Sequence, residues 1–152
     1  ELTAWLATNP TGSADKDVLI MGDLNAYAKE DPIHTLVGKG FVNLVEKFQG
    51  NRGYSYLFGG ESGYLDHALA SAALSPQVTY AMEWHINADE PISLDYNTEF
   101  KSAAQIANFY SDDAYRSSDH DPLVVSLKLI IDFTGIIDIY VFINKLWVHK
   151  VT

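Results

Sequence analysis

A chain of 152 residues is long enough to build one domain around a real hydrophobic core. Its 47% apolar content and absence of cysteine exclude a disordered chain, a disulfide framework and a thiolate metal site. A net charge of −10 opposes a role as a general nucleic-acid-coating protein, since non-specific affinity comes from Lys and Arg displacing counterions. The same charge suits a metal-dependent enzyme, whose carboxylates gather cations that in turn meet phosphates.

In chain order, residues 1–8 read as the end of an amphipathic helix, with Leu2, Trp5 and Leu6 on one face. A first residue already inside that pattern leads us to expect further chain upstream. Asn9 to Asp17 is a loop by its Pro, Gly, Ser and Asp content, and Val18 to Met21 is a short strand buried on both faces. Asp31-Pro32 predicts a helix start, with Asp31 as the cap and Gly38 to Gly40 as the end. Phe41 to Phe48 fits either a short helix or an extended piece. Tyr54 to Phe58 and Tyr64 to Ala70 predict two strands of one hairpin, joined through Gly59–Gly63.

Val78 to Ile86 is another strand, 87–108 is polar with weak periodicity, and Tyr110 to Asp121 is a loop rich in Asp and Ser. Leu123 to Leu129 alternates with period two and is the last clear strand. Trp84 and the tyrosines are expected mainly in the core. The remainder, 130–152, is a sticky tail of uncertain origin. It reads as strand, turn at Thr134-Gly135, strand, and its apolar runs are too short for a membrane helix, which needs about 20 residues. Covering that surface requires either the rest of this chain or a second copy, and self-association is the favoured expectation.

Three places carry groups suited to chemistry. Asp23 and Asn25 sit two apart at the end of a buried strand, where they either face one site or close an Asx turn. Asp66 lies within YLDHALAS, an otherwise apolar strand, and a carboxylate buried there needs a partner such as a histidine or a metal. The alternative is that Asp66 faces solvent. Asp119 and His120 stand in SSDHDP at the mouth of the last strand, dense in ligands and bases. Each alone has a bland reading. Together they are a base, an acid and hard-cation ligands on three strand ends, with no nucleophilic Ser or Cys elbow, which suits metal-assisted attack of water on a phosphodiester. His34, His85 and His149 have no matched partner in the sequence and receive no role.

GDLNAY, GYLDHALAS and SSDHDPLVV, in this order and spacing, resemble the C-terminal half of the endonuclease/exonuclease/phosphatase superfamily. EWHINADEP, LDYN and YSDDAYRSSDHDP are further similar to its secreted bacterial extracellular nucleases. The likeness covers residues 1–129. It implies an α+β fold, part of a deoxyribonuclease-like two-sheet sandwich flanked by helices, and a location outside a bacterial cell. It implies Asp23 as the carboxylate that handles the attacking water and Asn25 as a phosphate-oxygen ligand. Asp66 would orient His120, His120 would act on the scissile phosphate, and Asp119 would bind Mg²⁺ or Mn²⁺, with Ca²⁺ as another candidate. Tyr110, Tyr115 and Arg116 flank the site loop as candidate substrate contacts.

The sequence departs from the family at Tyr64, where many members have Arg, and at Ser55-Tyr56, where many have Thr with an aromatic. The family's other half carries an Asn and a metal-binding Glu; Glu46, Glu61 and Glu83 do not sit in that motif. The expectation is therefore a weakly active or inactive chain that lacks an N-terminal half, acting on DNA or RNA. Two alternatives stand beside it. One is a phosphoesterase on lipid or inositol phosphates. The other is a non-catalytic acidic module binding Ca²⁺ through Asp112, Asp113, Asp119 and Asp121.

Overall fold

The computed structural model describes residues 1–128 other than 96, 110 and 112, together with the backbone of 129–131, 135–143 and 147–149. The chain mixes small antiparallel sheets with short helices, an α+β arrangement. Helix α1 (Leu2–Ala7) is followed by strand β1 (Leu19–Asp23), helix α2 (Asp31–Gly38), strand β2 (Val42–Asn43) and helix α3 (Leu44–Gln49). Strands β3 (Tyr56–Phe58), β4 (Glu61–Gly63), β5 (Asp66–Ala70) and β6 (Val78–Glu83) come next. Helix α4 (Ala103–Phe109) and strands β7 (Leu123–Ile131), β8 (Gly135–Ile143) and β9 (Trp147–His149) complete the order.

One sheet runs β2-β5-β1-β9, a second β6-β7-β8, and β3-β4 form a separate ribbon. The first two sheets share a core. Leu19, Met21, Ala68 and Ala70 of β1 and β5 join Val78, Ala81, Leu123, Val125 and Leu127 of β6 and β7 in one buried cluster. Strand alternation sends Ile20 and Leu69 to the opposite face, where Leu36 of α2 and Leu2 and Leu6 of α1 cover them. Both faces of β5 are therefore buried, which explains its apolar composition.

This pairing corrects the expected hairpin. β3 pairs with β4, not with 64–70, because Gly59 and Gly60 both take positive φ (62° and 86°) and permit a tight turn directly after Phe58. β5 instead lies between β2 and β1. The 41–48 stretch divides between both readings: β2 is extended, then Asn43 caps α3 by accepting from the Glu46 N–H at 3.3 Å. The start of α2 also differs from expectation. Glu30, not Asp31, is the capping position, and its carboxylate accepts from the Tyr27 N–H at 2.8 Å.

In the tail, β8 pairs with β7 along its length and β9 pairs with β1, so both extend sheets at their edges. Thr134 lies outside the described residues. Among those described, no helix is long and apolar enough to cross a membrane. Trp84 is not in the core: it is 47% exposed, as are several tyrosines to a similar degree.

Candidate functional site

The site begins with strand parity. Leu19, Met21 and Asp23 lie on one face of β1, and Asp66, Ala68 and Ala70 on the same face of β5. The register pairs Met21 with Ala68 and Asp23 with Asp66. Two carboxylates thus continue the core-facing row at the end where the apolar residues stop. β1 runs two residues beyond the stretch 18–21, so that its last member is Asp23 itself.

Asp66 is 6% exposed and faces inward, so the solvent-facing alternative does not hold. Its Oδ2 accepts from the Ser55 hydroxyl at 2.6 Å and from His120 Nδ1 at 2.7 Å. A carboxylate only accepts, so the proton sits on Nδ1 and Nε2 is left as the working nitrogen of the ring. The hydrogen bond to Asp66 raises the His120 pKa above the ordinary imidazole value against the opposing effect of burial. The charges of Asp66, Asp119 and Asp23 add to that rise. Tyr56 lies over the same ring, 4.6 Å between centroids.

Asp23 Oδ1 accepts from the Asn25 N–H at 2.7 Å, while Asn25 adopts φ +50°. The Asx turn is therefore real, and it coexists with the placement of Asp23 beside Asp66. One carboxylate oxygen closes the turn and the other stays available. The Asn25 side chain is exposed.

His67 does not join this group. Alternation turns it to the opposite face, where it is fully buried and its Nε2 donates to Ala26 O at 2.7 Å. Desolvation depresses its pKa and keeps the ring neutral.

Asp119 is exposed and Tyr115 is 58% exposed, whereas Tyr110 lies outside the described residues. Arg116, expected near substrate, is 7% exposed, and its guanidinium donates to Asn87 O at 2.8 Å. Asp121 is fully buried and committed. One oxygen accepts from the N–H groups of Ile86, Asn87 and Ala88, and the other pairs with His85 Nδ1 at 2.7 Å. This removes Asp121 from any calcium site of the kind the acidic-module reading requires, and Asp112 lies outside the described residues.

The His85–Asp121 pair has no signal in local sequence. Tyr54 stacks on His85 at 4.0 Å, and its hydroxyl donates to Asp89 at 2.6 Å. That bond, then burial and the charges of Asp89, Asp121 and Glu83, push the Tyr54 phenol up to about 12. The DHD run hints that Asp121 is available as a partner, but nothing in it selects His85 from 36 residues upstream.

Among the described residues, no group of three or more His, Asp or Glu is arranged to hold a metal ion. The site offers two carboxylates, Asp23 and Asp119, both acting on the charge of His120. Mg²⁺ takes one or two protein carboxylates and fills its remaining positions with water and substrate oxygens. A cation at these residues would therefore be one held loosely by a carboxylate and substrate oxygens, not one in a closed cage. A groove of about 670 Å³ is lined by residues including Tyr27, His34, Glu46, Asn51 and Tyr64, and by none of Asp23, Asp66 and His120.

No family model, curated protein or solved structure matches this chain.

Proposed function

We propose that this chain carries part of the site of a divalent-metal-dependent phosphodiesterase, an extracellular nuclease acting on DNA or RNA by attack of water on phosphorus. The observation that carries the reading is the buried Asp66–His120 pair, built at the strand end where Asp23 is the cross-strand partner of Asp66. A histidine oriented by a buried carboxylate through Nδ1 presents Nε2 for proton transfer or for stabilising charge on a reacting group. The deoxyribonuclease-like architecture and the missing complementary half belong to the same proposal.

In this mechanism Asp23, through the oxygen not used in its turn, orients and deprotonates the water that forms the new P–O bond, while the ester P–O bond opposite breaks and the departing oxygen takes a proton from solvent water. Asn25 donates its side-chain amide to a non-bridging phosphate oxygen. His120 Nε2 hydrogen-bonds the phosphoryl group as charge builds on it. Asp66 and Ser55 keep the His120 ring in one tautomer and orientation. Asp119 would hold Mg²⁺ or Mn²⁺, which when bound would polarise the phosphoryl oxygen. Exposed Tyr115 would meet a flanking nucleotide, while buried Arg116 would only brace the loop through its bond to Asn87 O.

The test is a substrate panel with Mg²⁺ and with Mn²⁺: supercoiled plasmid, single-stranded RNA, sphingomyelin vesicles and an inositol phosphate. Metal-dependent cleavage confined to the nucleic acids is expected. Turnover of the lipid or inositol substrates alone would replace the nuclease reading, and no turnover of any substrate at high protein concentration would remove it for this chain.

A further inference from the structure

We infer that Asn87 is a positioning residue for the site, a clamp that fixes the backbone carrying Asp119 and His120. The clamp is argued from geometry, and its catalytic consequence rests on the function proposed above.

Asn87 is fully buried, and all four of its polar groups are engaged. Its side-chain Nδ2 donates to His120 O at 2.7 Å, and its Oδ1 accepts from Ser117 N at 3.1 Å. Its backbone N–H donates to Asp121 Oδ1 at 2.8 Å, and its carbonyl accepts from Arg116 Nη1 at 2.8 Å. One amide group therefore grips both ends of Ser117-Ser118-Asp119-His120.

Two features explain why the chain places an asparagine here. The Ser-Ser-Asp segment has no apolar side chain to anchor it to the core. A free polar loop of this kind would sample many conformations and carry Asp119 and His120 with it. The two tie points are also of opposite kind, one a carbonyl and one an N–H. Only a planar group with a donor and an acceptor side by side satisfies both. Aspartate offers acceptors alone, and alanine offers neither.

The base of the clamp is itself fixed. Asp121 collects three successive N–H groups from 86–88, and Arg116 N donates to Ile86 O at 2.9 Å. His120 is then held to other segments at its ring by Asp66 and at its carbonyl by Asn87, beside the local bond from its N–H to Ser118 Oγ. Without Asn87, the stretch before His120, Asp119 included, is tied by local bonds, His120 N–H to Ser118 Oγ at 3.1 Å and Ser117 Oγ to Ala114 O at 3.0 Å, while the anchor from Asp121 N–H to Ser55 O at 2.8 Å lies beyond it. A displacement of about 1 Å at a reacting group lowers turnover by roughly 100-fold.

The test compares the full chain with Asn87→Ala and with Asn87→Asp, which keeps the shape and the Ser117 acceptor but removes the donor to His120. Two readouts are taken: the His120 Nδ1–H proton resonance, and kcat and KM for plasmid nicking. Asn87→Ala is expected to lose or broaden the Nδ1–H resonance and to lower kcat roughly 10- to 100-fold, with KM changed less than about twofold. Asn87→Asp, if Asn87→Ala does not melt cooperatively, is expected to show the same pattern, since a carboxylate oxygen set against His120 O repels it. In the unsubstituted chain the Asn87 side-chain amide protons are expected to exchange slowly with solvent.

A cooperatively melting variant with both the resonance and kcat of the unsubstituted chain would overturn the inference, as would rapid exchange of that amide. If the unsubstituted chain nicks nothing, the proposed function fails while the resonance and the exchange rate still decide the clamp.

Discussion

His120 Nδ1 and Asp66 Oδ2 lie 2.7 Å apart, with both residues largely withdrawn from water. A hydrogen bond to a charged group contributes about 1.5–3 kcal/mol. Asp66→Asn removes the charge and offers Nδ1 a poorer acceptor. We expect a loss of about 2 kcal/mol in urea unfolding and a fall in nicking of at least about 100-fold. A variant equal to the unsubstituted chain in both measurements would mean that the pair neither stabilises the fold nor orients the ring.

Asp23 serves both a turn and, in our account, a reaction, and one substitution separates the two. Asp23→Asn retains an acceptor for the Asn25 N–H. Its stability is expected to change by no more than about 0.5 kcal/mol, as for a surface substitution outside a critical network. Metal-dependent nicking should fall at least about tenfold. Loss of stability with unchanged nicking would leave the Asx turn as the whole explanation of this residue.

Glu83 closes β6 at 2% exposure, with Oε1 lacking any partner. Burial raises its pKa from 4.5 to about 7. The unfolded chain therefore releases this proton at lower pH than the folded chain does. Across the interval from 4.5 to about 7 the folded form holds a proton that the unfolded form lacks, so stability falls as pH rises. The full drop is about 3 kcal/mol. Glu83→Gln should flatten this part of the curve in thermal melts taken from pH 4.5 to 8. An unchanged pH slope in the variant would contradict the assignment.

Gly53 is glycine for space and not for φ, which is an ordinary −66°. A Cβ there would lie 2.6 Å from Val45 Cγ1 and 3.2 Å from Glu83 Oε1. Gly53→Ala is expected to lower stability by about 1–3 kcal/mol through overpacking. Differential scanning calorimetry showing an equal or higher melting temperature would refute this.

Much of this arrangement is legible in sequence because strand parity is a local property. The stretch 18–21 reads as a strand buried on both faces, and extending its alternation by two residues puts Asp23 on the side of Leu19 and Met21. Alternation leaves Asp66 either facing solvent or buried with a partner, and the structure decides for the second with His120. Pairings between distant segments are less legible. Tyr54 to Phe58 and Tyr64 to Ala70 have the patterns of adjacent strands, yet the Gly59-Gly60 turn joins Phe58 to Glu61, and β5 lies between β2 and β1. Periodicity reports which face a residue takes, not which strand lies beside it. The inward turn of Arg116 and the pairing of His85 with Asp121 escape notice for the same reason: each depends on the 83–88 and 116–121 segments meeting in space.

We propose that Asp23, Asp66, Asp119 and His120 form one metal-dependent phosphodiester-cleaving site. Its most direct test is plasmid nicking by the unsubstituted chain and by His120→Ala, each with Mn²⁺ and with excess EDTA. The account predicts slow nicking by the unsubstituted chain that requires the metal and falls at least about 100-fold in His120→Ala. Nicking that persists in EDTA, or that is unchanged by the loss of the imidazole, would contradict it.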